Sequence, residues 1–276
     1  MSVEIARAVL ERVGTAQGAL ELLAEGMSSS AWVGTVDGRQ LVVRVPKGDG
    51  LRPTPRYDDE ARLLGRLARD GAAVAPCRVV EVDGVRCSVA DRVRGTPVKP
   101  HEWTDAFVDE VATTLGVVHS LPPDAAPPVS AAERFHLARL WPLDGSRLAD
   151  HPVAARWPER VDRLTALEPD IRRACDEPTT VVHTDLHWEH LLRSPTGRLA
   201  ALLDFGDAFA GPAAWDFACL RYYHGDEIAA RVAEHHPDGA VALAASRLVG
   251  IAFGLYKLDK TPERADIALR VERLLP

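Results

Sequence analysis

The chain predicts an α+β fold in which the first third is β-rich and the remainder mainly helical. Three observations carry this expectation. Short apolar runs flank the two-residue turns Asp37-Gly38 and Asp83-Gly84, as β-hairpins require. From Thr104 onward, apolar residues recur at helical spacing, as in Phe107, Val111, Leu115 and Val118. Residues 181–218 interrupt that helical part with three apolar runs too short for helices, two of them separated by the turn Pro195-Thr196-Gly197.

In order, the chain opens with a helical stretch through Val13, then strands over residues 20–23 and 31–36 around the small polar loop Gly26-Met27-Ser28-Ser29-Ser30. Asp37-Gly38 turns into a strand over residues 41–45 that carries Arg44. Thr54 and Pro55 are placed as N-cap and first residue of a helix whose Tyr57, Glu60, Leu64 and Leu67 share one face. A carboxylate on an apolar face needs a partner. Arg44, on the strand just before, is the candidate. A second hairpin spans residues 78–82 and 85–89 and leads into Ala90-Asp91-Arg92. Helices follow from Thr104, near residues 130–140 and over 153–167, broken by a Pro-rich stretch at 121–129 and by Trp141-Pro142 and Trp157-Pro158. Past residue 218 the pattern is mostly helical.

Composition excludes several classes. With 276 residues, 46% hydrophobic and 26% charged, the chain can build a full core and is not disordered. Thirty-three basic against 40 acidic residues give a net charge of −7 without a Lys/Arg cluster, so nucleic acid is not an expected partner and a cationic small molecule is. Cys77, Cys87, Cys175 and Cys219 lack C-x-x-C spacing, and the N-terminus has no long apolar core, which points to the cytoplasm. Residues 239–256 are apolar but carry Arg247 and fall short of the roughly 20 residues of a spanning helix, so a buried core helix rather than a membrane segment is expected.

The short strands at 181–218 bring Asp185, His190 and Asp204 to neighbouring strand ends. Two carboxylates and an imidazole so placed suit phosphoryl transfer to a hydroxyl, with Asp185 as base and His190 and Asp204 as ligands of a divalent metal. The spacing from His183-x-Asp185 to His190 follows the kinase loop H-R-D-x-x-x-x-N with His at the last position, and Asp204-Phe205-Gly206 stands as D-F-G.

This segment resembles the aminoglycoside and macrolide phosphotransferases, antibiotic-modifying enzymes of kinase-like fold. The resemblance implies a two-lobed protein-kinase-like molecule, with a small β-rich nucleotide-binding lobe over residues 1–91 and a larger helical lobe over 92–276. It implies that Gly26, Ser28, Ser29 and Ser30 lie over the phosphates of ATP or GTP, that Arg44 braced by Glu60 clamps them, and that Ala90 and Arg92 form the hinge beside the base. Magnesium, with manganese as the alternative, would be held by His190 and Asp204. Asp207, Asp226 and Glu227 lie where relatives bind cationic acceptors, and Asp216 matches an aspartate that braces the catalytic loop.

The pattern departs from the family's usual residues in four places: Arg44 for Lys, with Lys47 as a substitute, and His190 for Asn, both of which the resemblance implies for its macrolide kinases; Thr184 for the Gly of His-Gly-Asp; and Gly211-Pro212-Ala213 for Gly-Asp-Pro. The expected activity is O-phosphorylation of an antibiotic by a monomer or homodimer. The alternatives are a kinase of an amino-alcohol or sugar metabolite, a ligand-binding pseudokinase, and a metallohydrolase using His183, Asp185, His187, His190 and Asp204.

Overall fold

A computed structural model describes residues 2–26, 28–47, 56–127, 148, 150–176 and 179–276. The expected cap at Thr54 and Pro55, the helix near 130–140, the Trp141-Pro142 break and Met27 lie outside the described residues.

Helix α1 (Ser2–Val13) precedes strands β1 (Ala16–Glu25), β2 (Ser29–Val36) and β3 (Arg39–Pro46), helix α2 (Tyr57–Arg69), and strands β4 (Cys77–Val82) and β5 (Val85–Asp91). The strands form one antiparallel sheet of order β1-β2-β3-β5-β4. Both hairpin tips have two left-handed residues, Asp37 and Gly38 at φ 49° and 79° and Asp83 and Gly84 at 51° and 77°, the geometry whose twist matches flanking strands. Alternation along β3 decides what the sheet offers on each face. Leu41, Val43 and Val45 pack with Ala6, Val9 and Leu10 of α1, so Arg44 between them points to the opposite face. There α2 supplies Glu60.

The remaining elements are β6 (Thr96–Pro97), α3 (Asp105–His119), α4 (Pro152–Arg156), α5 (Val161–Asp176), β7 (Thr180–Val182), β8 (Leu191–Arg193), β9 (Leu199–Leu202), β10 (Phe209–Gly211), α6 (Ala214–His224), α7 (Asp226–His235), α8 (Gly239–Lys260) and α9 (Ala265–Leu274). Thr104 caps α3, its Oγ1 accepting the Phe107 N–H at 3.3 Å. β8 and β9 form the expected hairpin, and β6 joins its edge. β7 instead pairs with β10, a three-residue strand that the sequence pattern does not reveal. The fold is thus a small antiparallel sheet lobe followed by a mainly helical region.

Helix α8 is long and apolar enough to cross a membrane, with a mean hydropathy of 1.6. Val249, Phe253 and Leu258 are nonetheless buried in the large core, together with Phe217 and Leu220 of α6. It is a core helix of this fold. The same core includes Leu63, Leu64 and Leu67 of α2, whereas the β-sheet and α1 form a separate cluster. Helix α2 therefore ties the two parts together. Leu67 is fully buried, and Leu67→Ala is expected to lower unfolding stability by about 2–5 kcal/mol. Urea titration would register this as a lower midpoint at unchanged slope; an unshifted midpoint would mean that α2 is not anchored in that core.

Candidate active site

The chain leaves β7 at His183 and enters a loop whose backbone is held on all sides. The Asp216 carboxylate on α6 is fully buried and accepts the N–H of His183 at 3.0 and 3.1 Å and that of Thr184 at 2.6 Å. Thr184 has φ 65°, a left-handed angle costing a β-branched residue about 1–3 kcal/mol. It adopts the angle that glycine would take freely, held by Asp216 and by its Oγ1 donating to the Asp207 carbonyl at 3.0 Å. Cys219 Sγ donates to the Thr184 carbonyl at 3.0 Å, and His224 Nε2 to that of Leu186 at 2.9 Å.

Behind Asp216 lies a chain of imidazoles with fixed tautomers. The Asp238 N–H donates to His236 Nδ1 at 3.1 Å, which leaves Nε2–H of His236 to donate to His119 Nδ1 at 2.9 Å. His119 Nε2–H then donates to Asp216 Oδ2 at 2.9 Å. Each ring accepts at one nitrogen and donates at the other. Burial, with the neighbouring His119, depresses His236 to about 4. Against its own burial, Asp216 is held below the usual carboxylate range by His119 and by the His183 contact.

Asp185 is oriented by two histidines. His183 is buried; its Nε2–H donates to the Leu203 carbonyl at 2.8 Å and its Nδ1 accepts the Asp185 N–H at 3.2 Å. With both nitrogens engaged, His183 has no lone pair for a metal, which removes one ligand from the metallohydrolase alternative. His190 donates Nδ1–H to the Asp185 carbonyl at 2.8 Å. Its Nε2 lone pair is thereby turned toward Asp204, 3.8 Å from Oδ2. These two donors fit a divalent ion that takes most of its other ligands from phosphate and water. No group of three or more such side chains occurs among the described residues.

Arg44 and Glu60 meet as a two-oxygen ion pair, Arg44 NH1 lying 2.7 and 2.9 Å from the Glu60 oxygens. The other guanidinium nitrogen reaches Asp204 Oδ1 at 3.2 Å, and the Tyr57 ring lies 5.3 Å beneath. Burial opposes the Arg44 charge, yet Glu60 and Asp204 outweigh it and keep the residue firmly cationic. Burial likewise raises Glu60 against the pull of Arg44. Asp204, itself left-handed at φ 60°, is pushed up by burial but held low by Arg44 and His190. Lys47 lies beyond the end of β3 and pairs with Glu25 at 2.9 Å, so it does not replace Arg44.

The other expected site residues are distributed differently. Ser29 and Ser30 are buried residues of β2, which starts two positions earlier than the sequence suggests, and the Ser30 hydroxyl donates to Glu25 at 2.6 Å. Gly26 donates its N–H to the Ser29 carbonyl at 2.9 Å, and the Ser28 carbonyl accepts from Lys47. Ala90 pairs with Val42 and Cys77 inside the sheet, and the Arg92 N–H donates to the Gln40 carbonyl at 2.9 Å, which commits that donor to the ladder. Asp226 is ion-paired with Arg221 at 3.0 Å, Glu227 is exposed on the first turn of α7, and exposed Asp207 follows the D-F-G turn. Sequence reasoning missed Tyr223, whose hydroxyl donates to Asp185 Oδ1 at 3.4 Å; its signal is the tyrosine pair Tyr222-Tyr223 in the last turn of α6.

His187, His224 and His236 are each depressed to about 4 by burial. In the unfolded chain the same groups titrate near 6.5, so the unfolded state binds more protons between these values. Their contribution is whole above about pH 6.5 and declines as the pH falls toward 4. Melting temperature is expected to drop between about pH 7 and about pH 5; a flat profile over that window would mean that these rings are not held neutral.

Comparison with known proteins gives this geometry a context. No curated protein matches the chain. Among solved structures, a thermostable mutant of aminoglycoside phosphotransferase APH(4)-Ia, a ternary complex with ADP and hygromycin B, aligns over 98% of this chain and 96% of its own at TM-score 0.69 and 18% identity. Macrolide 2'-phosphotransferase type I aligns over 100% and 98% at 0.64 and 19%. Choline kinase LicA from Streptococcus pneumoniae aligns over 98% and 96% at 0.63 and 16%. At these identities the likeness establishes the kinase-like fold. The model of the phosphotransferase enzyme family APH matches residues 19–247, most of the chain, and the protein belongs to that family.

Proposed function

We propose that the protein transfers the γ-phosphoryl group of ATP or GTP to a hydroxyl of a small-molecule antibiotic of the macrolide or aminoglycoside kind, in the cytoplasm, and so confers resistance. The observation that carries this reading is the meeting of Asp185, His190, Asp204 and the Arg44–Glu60 pair at one place, from four separate chain segments. Phosphoryl transfer asks a protein mainly for position and charge, because its transition state is loose and spreads negative charge over the transferred group.

Asp185 has both carboxylate oxygens placed, Oδ1 near Tyr223 and Oδ2 3.4 Å from His190 Nδ1. It accepts a hydrogen bond from the acceptor hydroxyl, aims that oxygen at phosphorus and receives its proton. Arg44 supplies a cation that cannot lose its charge and that Glu60 keeps from swinging away. Magnesium or manganese, which His190 and Asp204 would hold, supplies neutralisation of the phosphate charge. Gly26, Ser28, Ser29 and Ser30 would lie over the phosphates, and Ala90 and Arg92 beside the base. Residues 1–91 and 92–276 are the two lobes of this arrangement.

A nucleotide-release assay with ATP or GTP against macrolides and aminoglycosides tests the reading. Asp185→Asn is expected to lower kcat by about 10²–10⁴ while nucleotide affinity stays within a few-fold. Retained acceptor-dependent turnover in that variant would remove Asp185 as the base, and activity that needs zinc but no nucleotide would sink the assignment. Imidazole suits transition metals better than magnesium. His190→Asn is therefore expected to shift metal preference from manganese toward magnesium, read as the ratio of activities with each ion; an unchanged ratio would place His190 outside the metal site.

A further inference from the structure

Tyr57 opens α2 three residues before Glu60, and residues at that spacing share a helix face, so one face of α2 brings both a phenol ring and a carboxylate to Arg44. The side chain is buried, yet it joins neither of the two apolar clusters found among the described residues. A cation lies against its ring instead, with the Arg44 guanidinium carbon 5.3 Å from the ring centre. Burial pushes the phenol up to about 12, so the ring stays neutral beside that cation at ordinary pH. The hydroxyl has no hydrogen-bond partner among the described residues, so no bond at the oxygen sets where the ring lies.

The other contacts of Arg44 fix a point rather than a plane. Both hydrogen bonds to Glu60, at 2.7 and 2.9 Å, leave from NH1, so the guanidinium can pivot at that nitrogen. Among the described residues, the contact that opposes the pivot is the one from NH2 to Asp204 Oδ1 at 3.2 Å. Asp204 is also a candidate metal ligand, and a carboxylate that turns to a divalent cation gives up part of its hold on a neighbouring arginine. The Tyr57 ring resists the pivot whatever Asp204 does. A partly desolvated guanidinium on an aromatic face is held more firmly than an exposed one, and its flat shape matches the ring.

We propose that Tyr57 is a positioning residue of the phosphate clamp: its ring sets the plane of the Arg44 guanidinium, so that the arginine nitrogens are aimed at the phosphate oxygens of the nucleotide. The assignment rests on the phosphotransferase reading, in that Arg44 receives those phosphates. It also gives the arginine at position 44 a partner of its own, because a lysine ammonium has no plane for a ring to hold. Either residue supplies charge; direction comes from the arginine and the ring together.

The test is isothermal titration calorimetry with AMP-PNP and GMP-PNP in the presence of magnesium, at a temperature below the melting point of every variant. Tyr57→Phe keeps the ring and is expected to stay within about twofold of the parent for whichever analogue binds. Tyr57→Leu removes the ring and is expected to lose about fivefold or more in affinity. Tyr57→Met fills more of the space, is expected to show the same loss, and replaces Tyr57→Leu if that variant does not fold. In an Arg44→Lys background, removal of the ring is expected to change affinity by no more than about twofold, since the plane is already gone. If that background binds neither analogue, the contrast between Tyr57→Phe and Tyr57→Leu decides. A loss below about fivefold on removing the ring, a loss above about twofold in Tyr57→Phe or in the Arg44→Lys background, or a parent that binds neither analogue would each overturn the assignment. Transfer assays run alongside separate the two readings. The expected affinities without transfer to any macrolide or aminoglycoside would sink the antibiotic phosphotransferase reading and keep the clamp; transfer by the parent, with Tyr57→Leu binding as the parent does, would do the reverse.

Discussion

The buried negative charge of Asp216 is the constraint around which this molecule is arranged. A carboxylate removed from water is costly unless every lone pair finds a donor. Here the donors come from α3 through His119 and from the loop after β7 through two backbone N–H groups. Satisfying that charge holds Thr184 at a left-handed angle, and the next residue, Asp185, sits beside His190 and Tyr223. The energetic need of one side chain thus becomes the geometry of another.

Asp204 and Arg44 join the loop side to the sheet. Arginine at position 44 differs from lysine in a way that matters here. Its planar fork pairs with Glu60 through one nitrogen and reaches Asp204 with the other, so one side chain links sheet, α2 and D-F-G turn. A lysine ammonium would be a point charge without that divided reach.

Much of this was legible in the residues. The Asp-Gly turns, the Thr104 cap and the α2 face bearing Glu60 are local signals, and each is where the pattern puts it. Spacing brought Asp185, His190 and Asp204 together because short strands leave few ways to connect them. Strand β10 escaped notice because three residues beside Gly211-Pro212 carry no periodicity. The imidazole chain of His119 and His236 escaped for another reason. Its links join residues far apart in sequence, and nothing local marks a histidine that acts through a tertiary contact.

Helix α2 belongs by sequence to the first third of the chain but by packing to the core completed by the last third. On a ribosome the β-sheet and α1 emerge with their own apolar cluster and can settle early, since domains form as their parts appear. Beyond what β4 and β5 cover, the apolar face of α2 must wait for the turn at Phe205 to be synthesised. For that interval the nascent chain carries a finished sheet beside an exposed stripe of leucines, and it is there that chaperones would find something to hold.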